Sequence, residues 1–216
     1  LLYTCAMATR FEIALHGEDV VLLRAAGEEA IAEIERLDRQ LSFYAPGSDV
    51  TRINRNACGE PVVVESGLFR LLDLAREIYR KTDGAFDITV GPIIRLWKEA
   101  ERRNREPDPQ EIARALSISG FERLQFDESA KTVSIGNGGG ETEDSGPSRI
   151  LIDVGGIAKG LFAEWICRDI LAGLSGSEAA DLRKLVIDVG GDVFVHSVSD
   201  RYPCEIGVRN PFSSNP

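Results

Sequence analysis

The sequence predicts an α+β fold in which mixed or antiparallel sheets pack against helices. Helical and strand-like segments come in blocks along the chain and do not alternate strictly, which argues against a continuous βαβ arrangement. Several segments repeat apolar residues at helical spacing, whereas shorter ones alternate or are continuously apolar, as strands are. Together these patterns favour helices packed on sheets.

Composition and charge restrict the functional classes. The chain has 216 residues, of which 43% are hydrophobic and 28% charged, as in ordinary globular proteins. Its formal net charge of −10 argues against nucleic acid as a partner, because phosphate backbones attract clustered Lys and Arg. No apolar run reaches the roughly 18 residues of a membrane helix, so we expect no membrane span. We also see no secretory signal, and we interpret residues 1–216 as one domain.

The N-terminal half is predicted to begin with a strand and to continue with helices. Residues 11–15 alternate in polarity, whereas residues 20–41 repeat apolar side chains with the period of a long amphipathic helix. Ser66 and Asp108 precede further helical patterns and are predicted N-caps, and Gly84 is a stop signal. The predicted helices here are 20–41, 67–81, a short helix from Pro92 that carries Trp97, and 109–116.

The C-terminal half is predicted to be richer in strands. Residues 136–148 are rich in Gly, Ser and acidic residues, and we interpret them as a flexible surface insert. Residues 150–154 are mostly apolar and predict a buried strand that leads into a helix over 158–171. The other predicted strands are a pair at 123–126 and 132–135, and strands at 185–189, 193–196 and 205–208.

The cysteines are widely scattered and include no C-x-x-C pair; they are Cys5, Cys58, Cys167 and Cys204. This spacing disfavours a zinc site, and it leaves both buried thiols and disulfides open. The more informative features are three short clusters that combine Gly or Ala with acidic residues.

The first cluster, at residues 82–87, reads Thr-Asp-Gly-Ala-Phe-Asp and follows a predicted helix. Backbone groups near Ala85 would be able to approach a flat ligand while Asp87 accepts its hydrogen bonds. The pattern alone favours a simpler interpretation, a helix C-cap followed by a turn aspartate. We call these residues the Ala-Phe-Asp loop.

The second cluster, at residues 153–160, reads Asp-Val-Gly-Gly-Ile-Ala-Lys-Gly, and we call it the glycine corner. Free N–H groups at the start of a helix suit a phosphate, and Lys159 would add positive charge. A tight strand-to-helix turn with Lys159 in solvent explains the pattern equally well, and no Walker loop is present. The third cluster, at 188–192, pairs two glycines in a strand region, which favours a structural role.

Taken in order, these clusters closely resemble the ApbE family of FAD:protein FMN transferases, with matches along the whole chain. The Ala-Phe-Asp loop, followed by Val90-Gly91-Pro92 and Leu96-Trp97, resembles the family's T-x-G-A-F-D…GP…LW signature. The glycine corner resembles its D-x-G-G-I-A-K-G turn. Met7-Ala8-Thr9 resembles the family's M-G-T strand, with Ala8 in place of the usual Gly. Residues 41–44, together with Ser48 and Asn54, resemble its L-S-x-Y…S…N segment. Residues 189–191 resemble its V-G-G strand.

The resemblance implies roles for individual residues. It assigns the carbonyl of Gly156 to Mg²⁺. It also implies that the glycine corner and the Ala-Phe-Asp loop converge in space to hold the diphosphate of FAD and its magnesium. The positions implied to contact FAD are Met7 and Tyr44 beside the flavin nucleotide, Ala85, Phe86 and Asp87 at the adenosine end, and Asp153 and Lys159.

The implied activity is Mg²⁺-dependent transfer of FMN from FAD to a Ser or Thr hydroxyl of an acceptor flavoprotein, with release of AMP. The alternatives are a non-catalytic FAD-binding carrier and a Mg²⁺-dependent FAD pyrophosphatase. Family members continue past the V-x-x-P element seen at residues 208–211 and complete the metal site there. We therefore expect a C-terminal segment to be lacking here, and with it the catalytic base, so no catalytic residue is assigned. The resemblance also implies a periplasmic or membrane-anchored location.

Overall fold

The computed structural model describes residues 1–58, 60–136, 150–174, 182–199, 201 and 203–207. The chain divides into two compact units, Leu1–Glu35 with Phe162–Pro216, and Arg36–Leu161. Helices and antiparallel sheets make an α+β architecture, which confirms the predicted fold class. Within the described residues, no helix combines the length and the apolar character needed to cross a membrane. The predicted insert at 136–148 lies, apart from Gly136, outside the described residues.

The regular elements follow one another as short strands and longer helices. In chain order they are β1 (Leu2–Ala6), β2 (Thr9–Gly17), α1 (Val20–Leu41), α2 (Asp49–Asn56), β3 (Val62–Val63), α3 (Ser66–Lys81), α4 (Gly91–Arg102), α5 (Pro109–Ile118), a 3₁₀ turn (Phe121–Arg123), β4 (Leu124–Asp127), β5 (Thr132–Ile135), α6 (Gly155–Gly173), β6 (Leu182–Val189) and β7 (Asp192–Ser197).

The first unit is built on a four-stranded antiparallel sheet of order β1-β2-β6-β7. Alternate residues of the central strands are buried, for example Phe11 and Ile13 on β2, because side chains alternate between the faces of a sheet. Met7 and Ala8 form the two-residue connection between β1 and β2, with φ angles of 50° and 56°. Left-handed backbone at both positions matches the twist of a tight hairpin.

The second unit combines a three-stranded antiparallel sheet of order β3-β5-β4 with helices α2 to α5. Helix α5 begins with the predicted N-cap: Asp108 accepts from Gln110 N–H, and the Glu111 carboxylate accepts from Asp108 N–H. The prediction for Ser66 is wrong, because the chain becomes helical one residue earlier. Ser66 is the first residue of α3, and Glu65 occupies the N-cap with extended backbone.

Several other expectations need correction. Residues 150–154 are mostly buried, yet they form only one isolated parallel bridge, between Leu151 and Val90, and no strand. Helix α6 begins at Gly155 and not at residue 158, so both glycines of the glycine corner belong to the helix. Residues 205–207 have no strand structure, and residue 208 lies outside the described residues. The short elements β1, α2 and β3 were not predicted.

Candidate functional site

The Ala-Phe-Asp loop is wound tightly onto the end of α3. The Thr82 hydroxyl donates to the Ile78 carbonyl at 2.8 Å and accepts from Phe86 N–H at 3.1 Å. Asp83 and Gly84 follow with φ angles of 50° and 80°, so the helix ends in left-handed backbone as the stop signal predicted. The hydrogen bonds of Thr82 therefore fix the loop against the last turn of α3.

The glycine corner leads from the non-helical residues 150–154 into α6. Asp153 Oδ1 accepts from Gly155 N–H at 2.8 Å, and Ala158 N–H donates to the Val154 carbonyl at 2.9 Å. Gly156 is exposed, and its N–H has no acceptor in the part of the chain that the structure describes. The start of α6 thus presents a free donor at the positive end of the helix dipole, which is an arrangement that suits an anion.

The Ala-Phe-Asp loop and the glycine corner lie side by side. A Cβ built on Gly156 would be 3.4 Å from Phe86 Cε2. Asp153 N–H donates to the Ile88 carbonyl at 2.7 Å, and Gly91 N–H donates to the Leu151 carbonyl at 3.1 Å. These contacts confirm that the two segments converge, within one compact unit.

A buried side chain pairs with the backbone of residues 150–154, which form no strand. Asn54 of α2 is only 7% exposed and pairs with both backbone groups of Ile152. Ile152 N–H donates to Asn54 Oδ1 at 2.7 Å, and Asn54 Nδ2 donates to the Ile152 carbonyl at 3.0 Å. The amide side chain thus supplies the two bonds that a neighbouring strand would give.

Asp87 is half-buried at the end of the Ala-Phe-Asp loop. Its Oδ1 accepts from both the N–H and the hydroxyl of Thr89, each at 2.7 Å. The carboxylate is therefore held in one orientation by a residue that the sequence analysis did not single out. The only signal was the spacing Asp-x-Thr, which also occurs in ordinary turns.

Tyr79, in the last turn of α3, packs against the same loop. A Cβ built on Gly84 would be 3.4 Å from Tyr79 Cε2, and the Tyr79 ring stacks on Phe121 with centroids 4.9 Å apart. The phenol donates to the Glu122 carboxylate, and this bond is the main reason that the pKa of Tyr79 is raised to about 12, with smaller contributions from desolvation and from charges that include Asp87. Tyr79 is therefore a protonated donor at neutral pH.

The remaining candidate residues are less closely grouped. Lys159 lies in the second turn of α6, half-buried, and forms no ion pair with any described residue. Tyr44 is 60% exposed on the loop after α1, where its hydroxyl contacts Lys98 Nζ and its ring meets Phe43 edge-on. Met7 belongs to the first unit, in the β1–β2 connection. The close contacts between the Ala-Phe-Asp loop and the glycine corner thus involve Phe86, Asp153 and Gly156.

A cleft of about 910 Å³ lies within the first unit. Its lining includes Leu15 and His16 at the end of β2 and Val20 and Leu23 at the start of α1. None of the residues implied to contact FAD lines it. The cleft therefore does not bear on their assignment.

The fold and the paired motifs define a class of α+β proteins in which a glycine-rich helix start lies against an Ala-Phe-Asp loop. A sequence profile of the ApbE family matches residues 7–216, and the chain belongs to this family. The resemblance carried by the motifs is confirmed.

Individual relatives agree with this membership. The chain is 27% identical over 208 residues to an FAD:protein FMN transferase of Klebsiella pneumoniae, an alignment that covers 94% of this chain and 59% of the relative. It is 28% identical over 192 residues to an FAD:protein FMN transferase of Treponema pallidum, covering 88% and 51%. The crystal structure of the ApbE protein of Thermotoga maritima superposes with a TM-score of 0.80 at 27% identity, covering 98% and 63%. The chain thus spans 51–59% of the length of these two curated relatives.

Proposed function

We propose that the protein transfers FMN from FAD to a Ser or Thr hydroxyl of an acceptor flavoprotein and releases AMP. The observation that carries this proposal is the convergence of the Ala-Phe-Asp loop and the glycine corner in a member of the ApbE family. The curated relatives named above are FAD:protein FMN transferases. In this proposal the described part of the chain supplies the binding site for the dinucleotide.

Each part of the site has a share in binding FAD. The diphosphate lies at the start of α6, where the free Gly156 N–H, the helix dipole and Lys159 offset its negative charge. The Ala-Phe-Asp loop takes the adenosine half, with Phe86 against the ligand and Asp87 accepting its hydrogen bonds. Tyr44 lies beside the flavin, and Asp153 contacts FAD from the corner.

The glycine corner offers a carbonyl oxygen of the kind that Mg²⁺ accepts as a ligand. Mg²⁺ prefers oxygen ligands and usually keeps waters beside substrate phosphates. The Gly156 carbonyl is such a ligand, and its second lone pair stays available when the first serves the helix. The described residues contain no group of three or more His, Cys, Asp or Glu suited to a metal. In the proposal, oxygens of phosphate and water are among the other ligands. Bound there, Mg²⁺ would neutralise charge on the diphosphate.

The transfer itself exchanges one phosphorus–oxygen bond for another. The acceptor hydroxyl oxygen bonds to the FMN phosphorus, the bond from that phosphorus to the bridging oxygen breaks, and AMP leaves with that oxygen. The hydroxyl proton passes to a base, which we place in the part of the relatives' length that this chain does not span. What the described residues contribute is positioning and neutralisation of charge, which dominate phosphoryl transfer.

The test is to incubate the full-length protein with FAD, Mg²⁺ and a flavoprotein acceptor, and to measure covalent FMN by mass spectrometry and AMP by chromatography. We expect equal amounts of the two products, and none without the acceptor. Free FMN and AMP formed without the acceptor would indicate a pyrophosphatase. Tight FAD binding without either product would indicate a carrier, and both results would contradict the transferase.

A further inference from the structure

Thr89 is a fully buried polar residue with 0% exposure. Its N–H and hydroxyl both donate to Asp87 Oδ1 at 2.7 Å, and its hydroxyl oxygen accepts from Gly120 N–H at 2.8 Å. Burying a hydroxyl is unfavourable unless its bonds are made, and here both the donor and the acceptor are used. A valine of the same shape would fill the space without forming either of the two hydroxyl bonds, whereas its backbone N–H would still be able to donate to Asp87.

The bonds of Thr89 leave the two oxygens of Asp87 in different states. Oδ1 is occupied by two donors of one residue, whereas Oδ2 has no hydrogen-bond donor among the described residues. A carboxylate held through one oxygen presents the other in a fixed position, and a ligand donor then meets an acceptor that has already lost its rotational freedom. Asp87 directly follows Phe86 in the chain, and a Cβ built on Gly156 of the glycine corner would lie 3.4 Å from Phe86 Cε2.

Gly120 anchors this arrangement to a second part of the unit. It follows α5 with a φ of 146°, a value that favours glycine, and its N–H points into the Thr89 hydroxyl. Because Arg123 N–H bonds the Gly120 carbonyl and closes the 3₁₀ turn, the position of Gly120 is itself fixed. The orientation of Asp87 therefore depends on α5 and the 3₁₀ turn as well as on its own loop.

We propose that Thr89 is a positioning residue for nucleotide binding, which holds the Asp87 carboxylate so that Oδ2 accepts a hydroxyl or amino donor of the adenosine half. This inference rests on the proposed function, because it takes FAD as the ligand. Thr89 does not touch the nucleotide and acts only through Asp87. Its effect on FAD affinity must therefore vanish when the Asp87 carboxylate is absent.

The experiment is a double-mutant cycle in the full-length protein, with FAD dissociation constants measured by calorimetry. We expect T89V to weaken FAD binding about tenfold, the usual effect of losing a bond to a charged group. T89S should stay within about twofold of the original protein, because it keeps the hydroxyl. In the D87A background, the Thr89→Val change should alter FAD affinity by less than about twofold, since coupled residues are not additive. A purely structural role would weaken binding equally in both backgrounds, and that result would overturn the proposal.

A second measurement separates the positioning claim from the proposed function. A crystal structure of T89V should show the Asp87 carboxylate rotated away from its original orientation, and an unmoved carboxylate would overturn the proposal even if FAD binding falls. If T89V does not fold, T89C replaces it, because the thiol fits the site but is a weak donor. A moved carboxylate together with unchanged FAD affinity would contradict the use of Asp87 in nucleotide binding. A failure of FMN transfer alone, with the cycle as expected, would contradict only the proposed reaction.

Discussion

Gly91 is the first residue of α4, and the structure leaves no room for a side chain at this position. A Cβ built there would lie 2.4 Å from the Leu151 carbonyl oxygen and 2.7 Å from Leu151 Cβ. Unstrained contacts between heavy atoms lie near about 3.5 Å. Because the obstructing oxygen belongs to the main chain, no side-chain rotation relieves the clash. The two backbones must separate by about 1 Å.

We expect G91A to lower the free energy of unfolding by about 2–4 kcal/mol. Overpacking a core typically costs about 1–3 kcal/mol, and each weakened hydrogen bond adds about 1 kcal/mol. The bonds at risk are Gly91 N–H to the Leu151 carbonyl and Asp153 N–H to the Ile88 carbonyl. Separation of the segments also moves the glycine corner from the Ala-Phe-Asp loop, so FAD affinity should fall by about tenfold or more.

Urea unfolding of the full-length protein, with FAD titrations of the folded variants, measures both effects. The matched control is G47A, because a Cβ built on Gly47 has no atom within 4 Å. The control should stay within about 0.5 kcal/mol of the original stability. If G91A and G47A prove equally stable and bind FAD equally well, the close approach of the two segments is not a feature of the protein in solution.

Three further changes test other parts of the structure. K159A should weaken FAD binding about fivefold at low salt and by a smaller factor at high salt. The surface control K81A, whose lysine pairs with Glu77, should leave FAD affinity unchanged. Equal FAD affinities of K159A and the original protein would show that Lys159 is not part of the site. A8G should raise the free energy of unfolding by about 0.5–1 kcal/mol in urea, because Ala8 has a φ of 56° and glycine relieves that strain at some entropic cost; a loss of stability would contradict this. Tyr79 should titrate near pH 12 by ultraviolet absorbance and shift downwards in E122Q. Since its folded pKa is raised from 10.0, the stability it contributes is complete below pH 10 and is lost as the pH rises through about 12; an unshifted titration would contradict the bond to Glu122.

Local signals account for the parts of the fold that the sequence predicted. The bounds of α1 follow from its amphipathic period, and the start of α5 follows from Asp108 and Pro109. Helix α2 was missed because it has only eight residues, although Ser48 accepts from Thr51 N–H as an N-cap and the Ser-Asp pair at 48–49 is a usable signal. β3, with two residues, carries no period at all.

Long-range contacts account for the rest. Residues 150–154 have the composition of a buried strand. In the structure they form no strand, and Ile152 pairs instead with Asn54, which is 98 residues away in the chain. The convergence of the glycine corner and the Ala-Phe-Asp loop was likewise implied by the family motifs and not by any local pattern. Thr89 could not be assigned in advance, because its partner Gly120 lies 31 residues away.

Asn54 links α2 to the proposed nucleotide site, although it lies 98 residues before Ile152 in the chain. A sheet would distribute the restraint on residues 150–154 over many backbone bonds, whereas here one amide side chain supplies two of them. Substitutions in α2 that rotate or shift this helix would be transmitted through that amide to Ile152, and from there to Asp153 in the glycine corner. Under the proposed function, variation in α2 is thus expected to change affinity for the dinucleotide while every residue of the Ala-Phe-Asp loop and the glycine corner stays the same.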